Sequence, residues 1–195
     1  MSAQFAPSVG YSEEYLRDQA LRNARLGLLL WRIANGLVFA FFAFANFLMR
    51  GVQPSWPPPG VERLEMGLPL VITALLMISG VFATRAHNAI KKDDVPGLRT
   101  NVLITVGLGA AFLIGIIVVS VRIPYSGPYS SIILSMNAFH ALHVVIGMLL
   151  LSFVWLRARR GRYSRERHWA VEASVIFWHF VDLMWLFFFA IIYLI

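Results

Sequence analysis

The sequence contains no cysteine, so the chain has no disulfide bonds, thiolate metal sites or cysteine nucleophiles. Charged residues are also scarce, at 14% compared with about 25% in typical soluble domains. No glycine-rich phosphate loop, Ser/His/Asp arrangement or zinc-protease motif occurs. The first ten residues lack a basic segment followed by an apolar core, so no cleavable signal peptide is expected. The sequence therefore gives little support for an enzyme with its own active site.

Apolar residues make up 58% of the chain and are concentrated in five stretches. Each stretch has about 20 residues, the length at which a helix crosses a hydrocarbon core of ~30 Å. We predict an all-α integral membrane protein, a bundle of five transmembrane helices. The predicted spans lie at about 27–49, 67–86, 100–121, 131–156 and 172–194, and residues 27–195 form the membrane domain.

The first 26 residues are predicted to form an N-terminal tail. Residues 1–11 are small and polar and are expected to be disordered. Residues 12–26 are predicted to form a short surface helix, capped by Ser12 and carrying acidic residues at its start and arginines near its end. The alternative is a frayed tail without a stable helix.

The distribution of Lys and Arg predicts the orientation in the membrane. With five spans, fourteen of the seventeen basic residues fall on one side, and Arg50, Arg63 and Arg122 fall on the other. Because basic residues favour the cytoplasmic side, we predict a cytoplasmic N-terminus and an external C-terminus. The net charge of +7 then favours anionic lipid headgroups, and not nucleic acid, as a partner.

Polar and indole side chains occur in the last two spans, where exposure to lipid is costly. In the fourth span, steps of three residues place Asn137, His140 and His143 along one stripe. We interpret these residues, together with several from the fifth span, as a helix-packing polar cluster that hydrogen-bonds between helices or to bound lipid. The members from the fifth span are Trp178, His179, Asp182 and Trp185, and Glu172 opens the same span.

Two other interpretations of these residues stay open at this point. A metal or haem site would use His140, His143, His179 and Asp182, which are compatible ligands. A carboxylate–histidine chain would instead relay protons, although no continuous path across the bilayer is evident. His87, at the end of the second stretch, is interpreted as an interfacial residue.

Three motifs resemble those of subunit III of the haem–copper cytochrome c and quinol oxidases. The last span contains W-H-F-V-D-L-M-W at Trp178–Trp185, with Glu172 six residues before it. The fourth span contains F-H-A-L-H at Phe139–His143, and the first loop contains W-P-P-P-G at Trp56–Gly60. The resemblance covers roughly residues 25–195 and fits the five-span bacterial members, which lack two N-terminal helices.

This resemblance implies an accessory, non-redox subunit of a prokaryotic terminal oxidase in the inner membrane. The chain itself would bind no haem, copper or other metal, because subunit I carries the redox centres of the complex. Subunits I and II and phospholipids would be its partners, with Arg157, His143 and Glu172 involved in lipid binding. Spans one and two would separate from the rest around a lipid-filled cleft. The subunit would stabilise subunit I and support proton uptake, without a catalytic site of its own.

Departures from the family pattern leave an alternative open. Carboxylates that the family carries in its spans are absent at Ala34–Asn35 and around Ile116–Ser120. Their loss weakens a proton-collecting role and permits a second interpretation, a subunit-III-like accessory protein of a nitric-oxide reductase or another respiratory complex. A transporter, or a haem- or metal-binding membrane protein, is less favoured by the sequence.

Overall fold

The computed structural model describes residues 12–195, which form five long helices. These are α1 (Glu13–Gly51), α2 (Gly67–Ile90), α3 (Val95–Arg122), α4 (Pro128–Arg159) and α5 (Trp169–Phe189), and α5 continues as a π-helical turn (Ala190–Leu194). All five are long and apolar enough to cross a membrane, which confirms the predicted five-span helical bundle. The tail segment 1–11, for which disorder was expected, lies outside the described residues.

The surface helix predicted at 12–26 is continuous with the first span. Ser12 caps the N-terminus, because its Oγ accepts the backbone N–H of Tyr15 at 3.2 Å. No proline lies between the surface segment and the span to stop the helix, and Gly27 at their junction weakens it without ending it. The resulting 39-residue helix is about 58 Å long at 1.5 Å per residue. It therefore extends well beyond a hydrocarbon core of ~30 Å.

Four of the helices pack closely, and α1 lies at their side. Helix α2 packs against α3 and α5, α4 packs against α3 and α5, and α1 contacts α4 and α5. The expectation that spans one and two both separate from the rest is therefore wrong for α2. The physical reason is the close approach of α2 and α3, where Gly115 faces Ile72 so tightly that a Cβ at Gly115 would overlap the isoleucine.

Contacts between distant segments define two ends of the bundle. At one end, the backbone N–H of Arg165 donates to Asp93 Oδ1 at 2.6 Å, and Arg25 lies 3.6 Å from Glu172. This end, which we call the basic end, contains the start of α1 and the α2–α3 and α4–α5 connections. At the opposite end, Arg50 donates to the backbone carbonyl of Ile195 at 2.7 Å.

Large aromatic side chains fill the centre, including the fully buried Phe39, Phe112 and Phe188. The outward faces are also apolar, as shown by the exposed Leu37 and Phe41 of α1. An exposed apolar surface of this extent on a helical bundle suits contact with lipid chains.

Candidate functional site

Two buried tryptophans of α5 donate hydrogen bonds to hydroxyl groups of α2. Trp178 Nε1 donates to Ser79 Oγ at 2.9 Å, and Trp185 Nε1 donates to Thr73 Oγ1 at 2.8 Å. Each hydroxyl in turn donates to a carbonyl about one turn earlier in α2, at 2.6 and 2.7 Å. Every donor in these two chains is thus satisfied away from water, as buried polar groups require.

The indole of Trp178 is held between two glycines of neighbouring helices. A Cβ built at Gly109 of α3 would lie 2.6 Å from Trp178 Cη2, and one at Gly147 of α4 would lie 2.8 Å from Trp178 Cε3. No real side chain tolerates such contacts, so the two glycines make room for the ring. Trp178 therefore connects α5 to α2, α3 and α4 at one level of the bundle.

His140 is fully buried in an aromatic environment. Its ring lies 5.5 Å from that of Phe112 and 4.9 Å from that of Trp185, measured between centroids. Among the residues that the structure describes, neither ring nitrogen of His140 has a hydrogen-bond partner. Asn137, one turn earlier, donates to Ser120 Oγ of α3 at 3.2 Å. These two members of the predicted stripe face α3 and α5.

His143 faces a different neighbour, α1. Its Nδ1 lies 2.9 Å from the carbonyl oxygen of Phe139, and its Nε2 lies 3.3 Å from Asn35 Oδ1. Phe39 packs edge-on against the ring at 5.0 Å. Asn35 also donates through Nδ2 to the carbonyl of Trp31 at 2.9 Å. His143 and Asn35 thus form a polar contact between α4 and the peripheral helix.

Another polar group lies on the outer side of α2 and α5 and consists of Thr84, His179 and Asp182. His179 Nε2 is 3.0 Å from Thr84 Oγ1, and His179 Nδ1 is 3.4 Å from Asp182 Oδ2. The side chain of His179 is 44% exposed, whereas that of Asp182 is 10% exposed. Gly80 makes room for the carboxylate, since a Cβ there would lie 2.5 Å from Asp182 Oδ2. We call this group the α2–α5 polar face.

At the basic end, Glu172 and Arg157 have separate surroundings. Glu172 Oε2 lies 3.6 Å from Arg25 Nη2, and the Arg25 guanidinium stacks 5.6 Å from the ring of Trp169. Arg157 is close to Tyr163 in the α4–α5 connection. Burial raises the pKa of Tyr163, and the positive charge of Arg157 acts in the opposite direction.

The structure does not bring the three predicted lipid-binding residues into one place. Arg157 and His143 are fourteen residues apart on α4, about 21 Å along the helix axis. Glu172 contacts α1 through Arg25 instead. A groove of about 560 Å³ lies between α1 and α5. Its lining is mostly apolar and includes Ile33 and Phe180, and Arg32 and His179 are also on its wall.

The alternative metal or haem site is also not formed. His140 and His143 face α3, α5 and α1, whereas His179 and Asp182 face α2. Within residues 12–195, the histidine and carboxylate side chains that lie close enough to share one ion are those of His87, His168 and Glu172. A four-residue site from the fourth and fifth spans is therefore not supported by the geometry.

Sequence reasoning missed several partners of these side chains. Ser79, Thr73 and Asn35 bind predicted residues across helix interfaces, but a hydroxyl or amide in an apolar stretch gives no sign of which helix it will face. The grouping of His87 with His168 was also missed, because the two are 81 positions apart in the sequence. The one local indication was the position of Glu172, four residues after His168, because residues at this spacing are neighbours on a helix surface.

Comparison with known proteins gives consistent matches along nearly the whole chain. A family model described as "Cytochrome c oxidase subunit III" matches residues 16–195. A protein of Thermostichus vulcanus named cytochrome c oxidase subunit 3 is 37% identical over 173 residues, 87% of this chain and 86% of the relative. Proteins of the same name are 34% identical in a Synechocystis species and 32% identical in Sus scrofa, with 86% and 88% of this chain and 74% and 69% of those relatives covered.

Proposed function

This chain belongs to the cytochrome c oxidase subunit III family, and from that premise we propose that it is an accessory subunit that covers and stabilises subunit I of a prokaryotic haem–copper terminal oxidase. The family relation makes it a subunit III of a haem–copper oxidase, which works in a complex with other oxidase subunits. Haem and copper are not carried by this family. The oxidase names of the relatives favour this function over the nitric-oxide reductase alternative.

The observation that carries the proposal is the half-exposed α2–α5 polar face. Asp182 is the fourteenth residue of the 26-residue segment Trp169–Leu194, so it lies near mid-span. Polar groups at this depth usually face protein or water, because exposure to hydrocarbon is unfavourable. Thr84 and Asp182 engage both ring nitrogens of His179, but the exposed edge of this polar ring is better covered by protein than by hydrocarbon. We assign that cover to a helix of subunit I, with subunit II as a further neighbour in the complex.

Lipid binding is the second part of the proposal. Away from His179, the groove between α1 and α5 has the apolar lining that an acyl chain needs, and Arg32 supplies a cation for a headgroup. Arg157, at the same end of the bundle, is proposed to contact a second lipid phosphate. In this proposal His143 and Glu172 act on lipid indirectly, because their contacts with Asn35 and Arg25 hold α1, which forms one wall of the groove.

The basic end of the bundle indicates how the chain is oriented in the membrane. We propose that this end faces the cytoplasm and that the chain lies in the inner membrane, because basic residues favour the cytoplasmic side of bacterial membranes. Support for proton uptake would then be indirect, through the packing of subunit I and its lipids. The spans of this chain offer few carboxylates for a direct role, and Asp182 is engaged by His179.

Purification from native membranes tests the proposal. A tagged chain extracted in mild detergent should bring down a haem–copper subunit I, detected by haem spectra, mass spectrometry and oxygen consumption. The double variant His179→Leu/Thr84→Val should recover less subunit I. Ser135→Ala is the matched control, because Ser135 is an exposed hydroxyl that bonds within its own helix at 2.8 Å. A folded chain purified without any haem–copper subunit would refute the proposal.

A further inference from the structure

A compact group of three potential metal ligands lies at the basic end. His87 is in the last turn of α2, His168 immediately precedes α5, and Glu172 is in the first turn of α5. One ligand atom from each residue lies within 4.8 Å of the other two, and the two imidazole centroids are 5.8 Å apart. In tetrahedral zinc sites the ligand atoms are ~3.3 Å apart, given zinc–ligand bonds of about 2.0–2.1 Å. Small side-chain rotations would close this difference.

Both histidines have a buried ring nitrogen that lacks a partner. Nε2 of His87 and Nδ1 of His168 are inaccessible to solvent and make no hydrogen bond within residues 12–195. Buried polar atoms in proteins are nearly always paired, so two unpaired nitrogens in adjacent rings call for an explanation. A cation that accepts their lone pairs would satisfy both at once.

From this geometry we propose that His87, His168 and Glu172 form a binding site for a divalent zinc ion that joins the end of α2 to the start of α5. Two imidazoles and one carboxylate are typical zinc ligands, and the nitrogen donors disfavour magnesium and calcium. Three protein ligands leave a fourth position for water.

Arg25 and Lys91 set the electrostatic environment of the site. Arg25 contacts Oε2 of Glu172, so one carboxylate oxygen is held and the other can face the ion. Lys91, one turn after His87, interacts with it electrostatically and adds positive charge. These two cations lower the affinity for zinc, so the ion should exchange with the medium. The site would then respond to the zinc concentration at the membrane surface, adding a control of subunit stability to the proposed accessory role.

Zinc binding to the complete oxidase complex tests this inference. The complex is stripped with a chelator, dialysed against zinc chloride, and its zinc content is measured by elemental analysis relative to haem iron. Wild type should bind one more zinc ion per complex than His87→Ala or His168→Ala. Glu172→Gln should weaken that ion at least tenfold, whereas Glu166→Gln, a nearby exposed glutamate, should leave its binding unchanged.

X-ray absorption at the zinc edge of the wild-type complex provides a test that does not depend on variants folding. A zinc ion with two imidazole ligands and oxygen ligands at about 2.0–2.2 Å is expected. The inference is overturned if the histidine variants, with normal haem content, bind as much zinc as wild type. It is also overturned if the zinc bound to wild type shows no imidazole scattering. The two proposals fail in different ways. If the zinc site is wrong, this chain still copurifies with subunit I, and only the zinc result changes.

Discussion

Substitution of Gly147 by alanine should strain the centre of the bundle. The added Cβ would lie 2.8 Å from Cε3 and 3.0 Å from Cζ3 of Trp178, and 3.2 Å from Cε1 of Phe177. Trp178 has little room to move, because its Cη2 and Cζ2 atoms pack closely against Gly109 and Ser79 accepts its N–H. The new methyl group therefore overfills a packed core.

The expected cost follows from the behaviour of overpacked cores. Such substitutions destabilise proteins by about 1–3 kcal/mol. For a chain of about 200 residues, each kcal/mol lowers Tm by roughly 2–4 °C, so a decrease of about 2–12 °C is expected. The measurement is the fraction of the fluorescently tagged chain that stays folded in the purified complex as the temperature rises. All variants are heated at the same rate, because unfolding of membrane complexes is often irreversible.

Gly107→Ala is the matched control for this prediction. Gly107 is on α3, and a Cβ there meets no atom of the described part of the chain within 4 Å. Both variants gain the same helix propensity over glycine, so the difference between their Tm values isolates the steric effect. Gly147→Ala should cost less stability in a Trp178→Phe background than in the wild type, because a smaller ring leaves room for the methyl group. Equal stability of Gly147→Ala and Gly107→Ala would refute the reasoning.

Three further outcomes follow from the polar contacts. A double-mutant cycle of Trp185→Phe and Thr73→Val should give a coupling of about 0.5–1.5 kcal/mol in unfolding measurements, and additivity would show that the bond of 2.8 Å is not formed. Asp182→Leu should lower the yield of assembled complex while turnover per haem stays normal, and normal yield with lost turnover would contradict a packing role. Arg157→Gln should reduce the phospholipid phosphorus that copurifies, compared with Arg159→Gln, and equal phosphorus content would exclude Arg157 as a lipid contact.

The fold was largely predictable from the sequence, because hydrocarbon imposes a fixed length on every span. All five predicted stretches lie within the observed helices. The continuity of α1 was not predicted, because the cap at Ser12 marks a helix start without saying where that helix ends. The packing of α2 against α3 was also missed, since it depends on how Gly115 meets Ile72, and a family resemblance does not resolve such contacts.

The polar residues were predictable as a set, whereas their pairing was not. Helical periodicity places His140 and His143 on one stripe, but a three-residue step turns the second ring toward α1. The sequence motif identified Trp178 and Trp185 as members of the polar cluster, but it did not indicate which groups accept their N–H hydrogen bonds. Those acceptors are hydroxyls of α2, and only the packed structure shows which helix α5 meets.

Photo-crosslinking from a position next to the α2–α5 polar face tests the central claim most directly. A photoreactive amino acid replaces Val81, which is 52% exposed and one turn before Thr84 on α2. Leu142 of α4, which is 53% exposed, serves as the comparison position. Irradiation of native membranes should link position 81 to subunit I of a haem–copper oxidase, identified by mass spectrometry. Crosslinks from position 81 to lipid alone, or to a protein outside an oxidase complex, would contradict the account.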